Sequence, residues 1–300
     1  RKYEATTEYS FDNTPSEDEE FDSYELQWLQ YLHEWEKVEE KTGKLVRMGI
    51  PPKLRGALWK KITGSSQLAR KNPGVYQILL QRVPDEETLR LIKQDIRRTH
   101  PDDVTFKSFN VQDTLHNVLC AYANFDPDIG YCQGMSFVAA HIVYYLNEED
   151  SFWVLVSLIK SYELGDMYRP GLPLLTTLLY KLDRLIQVYM PNLFLHFQSL
   201  AVTAVMYASE WFSTIFAYSF DFEVAARIWD VFLVEGVNYL MNLALAILKI
   251  AEPQLLKLNF EETILYLKER GYHTLINESI FQLADSFDVK LIMKFIELGK

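Results

Sequence analysis

Trp28, Tyr31, Leu32, Trp35 and Val38 fall at i, i+3, i+4, i+7 and i+10, the stripe by which one face of an α-helix enters a core. Gly43 is the stop expected for this helix. Pro51-Pro52 announces a second one, because proline suits a first turn whose N–H has no intrahelical partner. Leu54, Ala57, Leu58 and Ile62 are its expected buried face, and Gly64 closes it.

The same pattern continues along the chain. Leu89, Ile92 and Ile96 form a stripe that stops before Pro101, since the residue preceding proline is pushed out of the α region. Asn110, with Asp113 three residues on, is the expected cap of a helix whose inner side is Leu115, Val118, Leu119 and Tyr122. Leu174, Leu175, Leu178, Leu179 and Leu182 make another stripe, followed by Val224, Ile228 and Val231, and finally by Val289, Ile292, Phe295 and Ile296. Leu255, Leu258 and Phe260, then Ile264, Leu265 and Leu267, predict helices between those last two. Sustained two-residue alternation is missing and no segment repeats at a solenoid period. The pattern predicts an all-α globule of many short helices.

Composition narrows the function classes. The 300 residues are 49 % hydrophobic, enough for one large domain or two fused helical lobes without staples. The formal charge of −11 argues against broad contact with nucleic-acid phosphate or a polybasic grip on anionic lipid. The excess is uneven: nine acids against two bases lie between Arg1 and Glu25, leaving −4 for the remainder. Residues 1–23 therefore read as an acidic, solvated leader, and 24–300 as the folded domain. Two cysteines, Cys120 and Cys132, cannot build a disulfide framework, which favours a reducing, cytoplasmic setting. His141 interrupts Phe137–Leu146 and Lys249 interrupts Leu243–Ala251, so no apolar run reaches the roughly 18 residues of a bilayer span, and no direct membrane insertion is expected. The start at Arg1 reads as that of a fragment.

The usual chemical signatures are missing. Gly43-Lys44 is followed by Leu45 and belongs to no phosphate-binding P-loop, and there is no G-x-G-x-x-G, H-E-x-x-H or G-x-S-x-G. The six histidines are scattered, and His141, inside an apolar stretch, reads as a satisfied core histidine rather than a metal ligand.

Two segments carry more than packing. In the first, Asp95 and Arg98 are three apart on a helix and can pair. By spacing alone this is a surface ion pair, or Arg97 and Arg98 complementing a helix C-terminus. The sharper alternative is an arginine held from behind by Asp95 and projecting toward a partner. The second segment is the turn-rich stretch from Asn124 to Met135, where Gln133 stands between Cys132 and Gly134. Its amide can tie down a helix start, or it can orient a water, with flanking glycines letting another chain approach.

Together these segments resemble the TBC domain, the catalytic module of GTPase-activating proteins for Rab GTPases. Ile92, Asp95 and Arg98 match the family pattern I-x-x-D-x-x-R, and Tyr131, Gln133 and Gly134 match Y-x-Q-G. Gly49-Ile50-Pro51 with Arg55 and Trp59 matches the opening stretch, Trp211-Phe212 matches a W-F signature, and Arg227-Ile228-Trp229-Asp230 matches R-I-W-D. The motifs cover roughly Arg47 to Ala251 in the right order.

The resemblance implies a multi-helix fold of two helical lobes and a GTPase activator rather than an enzyme in its own right. It implies a Rab-family GTPase in the GTP-bound state as partner, with GTP and Mg²⁺ carried by that partner, no cofactor of the chain's own, and a role in vesicle trafficking at endomembranes. Arg98 would be the arginine finger and Gln133 the glutamine finger that aligns water. Asp95 would hold Arg98, Ile92 would anchor its helix, Tyr131 would shape the loop or touch the GTPase, and Gly130 and Gly134 would permit close approach. Arg55, Trp59, Arg227, Trp229 and Asp230 would brace the fold. Two rival readings remain: a catalytically silent TBC-like scaffold, and a cysteine hydrolase using Cys132 with His100, His116 or His141 as base.

Overall fold

In a computed structural model, residues 22–35, 42–101, 103, 106, 109–269, 271–273 and 279–298 are described, with the backbone alone at 109, 293 and 295–298. Residues 1–21 of the expected leader (1–23), Val38, and the side chains of Phe295 and Ile296 lie outside this set.

The chain is all-α, and no strand occurs among the described residues. α1 spans Ser23–His33, α2 Thr42–Met48, α3 Pro52–Ile62, α4 Ser65–Lys71, α5 Val75–Leu80, α6 Glu86–Arg98, α7 Phe109–Phe125, α8 Met135–Val143 and α9 Glu148–Lys160. α10 spans Gly165–Tyr168, α11 Pro173–Tyr189, α12 Pro191–Ser199, α13 Ser209–Ser213, α14 Phe222–Glu235, α15 Val237–Leu255, α16 Phe260–Lys268, α17 Ser279–Asp285 and α18 Val289–Leu298.

Packing divides these helices into two lobes. In the first, α9 lies against α4, α7 and α8, while α6 packs on α7 and α8. In the second, α11 packs on α12, α13 and α15, and α15 on α17 and α18. α14 joins them by packing on α2 and α3 as well as on α15. Apolar burial drives this arrangement. α15 buries Leu240, Leu243, Ala244, Leu245, Ala246, Ile247, Leu248 and Ala251, so its hydrophobicity belongs to a core. No helix among the described residues is long and apolar enough to cross a membrane.

Most of the stripes face inward as their period requires: Trp28, Leu54, Leu58, Ile92, Ile96, Leu115, Val118, Leu119, Tyr122, Leu175, Leu178, Leu179, Leu182, Ile228 and Val231 are buried. Three local expectations fail, those for Gly43, Asn110 and His141. Gly43 lies in the first turn of α2 instead of ending α1, where a Cβ would meet Glu235 Oε1 at 3.1 Å. Asn110 lies inside the first turn of α7, not at its cap. Phe260 and Leu265 lie in an expected helix, α16, and are exposed on it, the first because it opens α16 directly after the Asn259 cap. His141 is buried as expected but packs by its ring, 4.7 Å from Trp229 and 5.6 Å from Trp59, and its Nε2 has no hydrogen-bond partner. Burial holds this imidazole well below its ordinary pKa, hence neutral.

Gly49-Ile50-Pro51, Arg55, Trp59 and the 227–230 motif meet in one place. Asp230, fully buried, accepts from Trp59 Nε1 at 2.9 Å, Arg55 Nε at 3.3 Å and the Ile50 amide at 3.4 Å. Arg227 donates to the carbonyls of Val46 and Arg47 at 3.0 and 3.2 Å, and the Trp229 indole donates to Ile215 at 3.0 Å. The bonds of Asp230 and Arg227 fasten α14 to α2, to α3 and to the turn between them. Burial raises the Asp230 carboxyl to about 6, against the opposing pull of Arg55.

Candidate functional site

α6 presents the first candidate residue. Asp85 caps it by accepting from the Thr88 amide at 3.0 Å, Glu86 and Glu87 occupy its first turn, and Arg97 and Arg98 its last. Each end thus carries the charge its macrodipole favours. Ile92 and Ile96 bury one face, and Ile92, Asp95 and Arg98, spaced by threes, climb from the core to the surface. The Arg98 side chain is 46 % exposed, whereas Asp95 is 8 % exposed.

The pair is therefore not an ordinary surface contact. Asp95 Oδ1 accepts from Arg98 Nε at 2.8 Å, and Asp95 Oδ2 accepts from the Tyr131 hydroxyl at 2.6 Å. A carboxylate bonded on both oxygens and packed in protein cannot swing, so it fixes the root of the guanidinium while leaving the tip in solvent. The bond to Asp95 raises the Arg98 pKa further above its ordinary value. Burial, and next the bond to Asp95, raise Tyr131, which stays a phenol and a donor. Tyr131, half-buried, thus holds Asp95.

The second candidate arrives from the loop between α7 and α8. The Asp126–Gly130 turn closes with the Gly130 amide on the Asp126 carbonyl at 2.8 Å, and Gly130 takes φ +58°. Gly134, with φ +101°, turns the chain into α8. A side chain there would be strained by the backbone, and its Cβ would touch Ser213 and Thr214 at 3.6–3.7 Å. The glycine thus allows the loop to lie against the end of α13, which the buried Trp211 and Phe212 seat in the core. Gln133, exposed on this turn, faces Arg98: its carboxamide oxygen accepts from Nη2 at 2.8 Å and Nη1 at 3.3 Å, the orientation its neighbouring donors dictate. Residues 98 and 133, from separate elements, form one exposed polar tip backed by Asp95 and Tyr131.

This tip stands apart from a cleft on the same molecule. A cavity of about 980 Å³ opens between the lobes on Asp126, Ile129, Lys160, Arg169 and Lys181, and neither Arg98 nor Gln133 lines it. An exposed arginine and amide do not by themselves line a substrate pocket. Among the described residues no group of three or more His, Cys, Asp or Glu is arranged to hold a metal ion.

The cysteine-hydrolase reading finds no support in this geometry. The thiol in contact with an imidazole is Cys120, 3.6 Å from His116 Nε2, not Cys132. Burial raises both thiols, Cys120 to about 11, the opposite of what a nucleophile requires.

The motifs did not single out several supporting groups. Tyr168 donates to the Ser213 carbonyl at 3.0 Å, steadying α13 where it meets Gly134. Thr99 and Ser136, buried hydroxyls one residue beyond Arg98 and three beyond Gln133, touch each other. Their adjacency to the motifs was the only sequence signal.

Comparison with known proteins follows the same lines. The model of the Rab-GTPase-TBC domain family matches residues 52–256. The human ecotropic viral integration site 5 protein homolog is 36 % identical over 248 residues, 81 % of this chain and 30 % of that protein. The GTPase-activating protein GYP5 of Saccharomyces cerevisiae is 35 % identical over 253 residues, 82 % of this chain and 27 % of that protein. The chain thus spans less than a third of the length of either relative. The crystal structure of the Chlamydomonas flagellar RabGAP TBC domain superposes with a TM-score of 0.74 at 24 % identity, covering 88 % of this chain and 93 % of that one.

Proposed function

The chain belongs to the Rab-GTPase-TBC domain family, and from that premise we propose that it accelerates GTP hydrolysis by a Rab-family GTPase in its GTP-bound state. The observation that carries the reading is the convergence of Arg98 and Gln133 at one exposed tip, with Arg98 anchored by the buried Asp95.

In this reading the chain adds missing groups to an active site held by its partner, which brings the GTP and Mg²⁺. Arg98 Nη1 and Nη2 let go of Gln133 and donate to phosphate oxygens on which charge develops, while Nε stays on Asp95. Cationic donors placed where charge develops are worth most when water is excluded, and arginine fingers contribute on the order of 10³–10⁵ in rate. The freed Gln133 carboxamide accepts from and orients the attacking water. Asp95 and Tyr131 limit the rotamers Arg98 must give up on insertion, lowering the entropic cost of engagement. Recruitment to endomembranes would come through the lipid-anchored Rab.

A panel of GTP-loaded Rab proteins incubated with this chain tests the reading. Accelerated phosphate release from at least one member is expected. Tight binding to a GTP-loaded Rab with no acceleration would instead identify the silent scaffold.

A further inference from the structure

Arg98 is the last helical residue of α6, and Thr99 leaves the helix with ψ 110°. The Thr99 amide donates to the Ile96 carbonyl at 3.1 Å, not to the carbonyl of Asp95 four residues back. Helix ends leave such carbonyls without intrahelical partners, and burial makes that costly. Here the Thr99 hydroxyl replaces its own amide, donating to the Asp95 carbonyl at 2.7 Å. A hydroxyl has one proton. With that proton used at Asp95, Thr99 Oγ1 accepts from Ser136 Oγ, 2.9 Å away. Both residues are buried, at 3 % and 0 % exposure.

Ser136 occupies the first turn of α8, into which the Gln133 loop feeds, and its side chain also faces the Tyr131 hydroxyl. Two clamps, adjacent at Tyr131 and Ser136, therefore join α6 to this loop. The Asp95 carboxylate fastens the Arg98 side chain to Tyr131. The Thr99–Ser136 hydroxyl pair fastens the backbone that ends at Arg98 to the backbone that follows Gln133.

We infer that Thr99 and Ser136 are positioning residues that set the separation between Arg98 and Gln133. The consequence for rate rests on the proposed function; the consequence for geometry does not. Neither hydroxyl reaches the surface, so neither can meet a partner, and they act only through where they hold the two exposed groups.

Ser136→Ala is the first probe, because Thr99 keeps its bond to Asp95 while the hydroxyl that faces Thr99 and Tyr131 from α8 is lost. Thr99→Val removes both bonds at nearly constant shape, and Thr99→Ser retains both. Two readouts apply: the Arg98 Nε–H resonance in the ¹H–¹⁵N spectrum of the free chain, and kcat and KM for the GTP-loaded Rab that the parent chain stimulates best. Ser136→Ala and Thr99→Val should shift or broaden the Nε–H signal and lower kcat about ten-fold, with KM within about two-fold of the parent, while Thr99→Ser behaves as parent. An unchanged signal or an unchanged kcat in Ser136→Ala overturns the inference, as does a loss confined to KM. If Thr99→Val fails to fold, Ser136→Ala decides alone. If the parent stimulates no Rab, the proposed function fails, and the Nε–H signal still judges the positioning.

Discussion

Gln133 accepts from both terminal nitrogens of Arg98, at 2.8 and 3.3 Å, although the two residues stand on separate elements and 35 positions apart. Each is therefore held by the other in the free chain. Insertion beside a nucleotide exchanges these bonds for new ones, and the two side chains act as a coupled unit.

That coupling predicts non-additive kinetics. Gln133→Ala should lower the single-turnover rate about 10- to 100-fold with little change in binding to the GTP-loaded partner, since orientation of water is lost while Arg98 remains. In a double-mutant cycle with Arg98→Ala, the double variant should be scarcely slower than Arg98→Ala alone. Rapid-quench measurement of phosphate release checks both; equal, multiplying losses would show that the residues work independently.

Asp95→Asn tests the anchor. An amide retains one oxygen and loses the charge, so it cannot accept from Arg98 and Tyr131 as a carboxylate does. The variant should lose about ten-fold or more in kcat with KM little affected, whereas Tyr131→Phe, which removes one bond worth about 1 kcal/mol, should lose less. Steady-state kinetics on the same GTPase ranks the two. Tyr131→Phe proving the more damaging would move the anchor from the carboxylate to the phenol.

How much of this could be read beforehand depends on distance along the chain. Ile92, Asp95 and Arg98 share one helix, so their spacing already placed the isoleucine inward and paired the acid with the base. The Asp95–Tyr131 bond spans 36 positions and the Asp230–Arg55 pair 175, and no local period encodes such meetings; only the family resemblance put those residues on one list. Local signals failed where tertiary contact overrode them. Gly43 reads as a terminator by propensity, yet it sits in a helix, at a position where a Cβ would crowd Glu235. Thr99 and Ser136 look like any hydroxyl residues until the fold shows that their oxygens meet in a dry space.

The buried Asp230 predicts a pH dependence of stability. Its carboxyl is raised in the folded chain to about 6, above its value in an unfolded chain near 4. The group therefore favours folding most below about pH 4, and this contribution is lost as pH rises through 6. At about 1.4 kcal/mol per pH unit, the loss is on the order of 3 kcal/mol. Denaturant unfolding of the parent and of Asp230→Asn at pH 4 and pH 7 isolates it: the parent's stability relative to the variant should fall between the two pH values. A relative stability that rises over that interval would mean that Arg55 and the Trp59 indole overcome the cost of burial.

The most direct test of the account compares three chains on one GTP-loaded Rab: parent, Arg98→Ala and Arg97→Ala. Arg98 is half exposed and the buried Asp95 keeps its bond from Tyr131, so removal of Arg98 should leave the chain folded, with thermal unfolding lowered only modestly by the loss of one partner of that carboxylate. Stimulated hydrolysis by Arg98→Ala should nonetheless fall by about 10³-fold or more, while Arg97→Ala stays close to the parent. Equal stimulation by Arg98→Ala and the parent, or a severe loss in Arg97→Ala instead, would contradict the assignment of the inserted arginine.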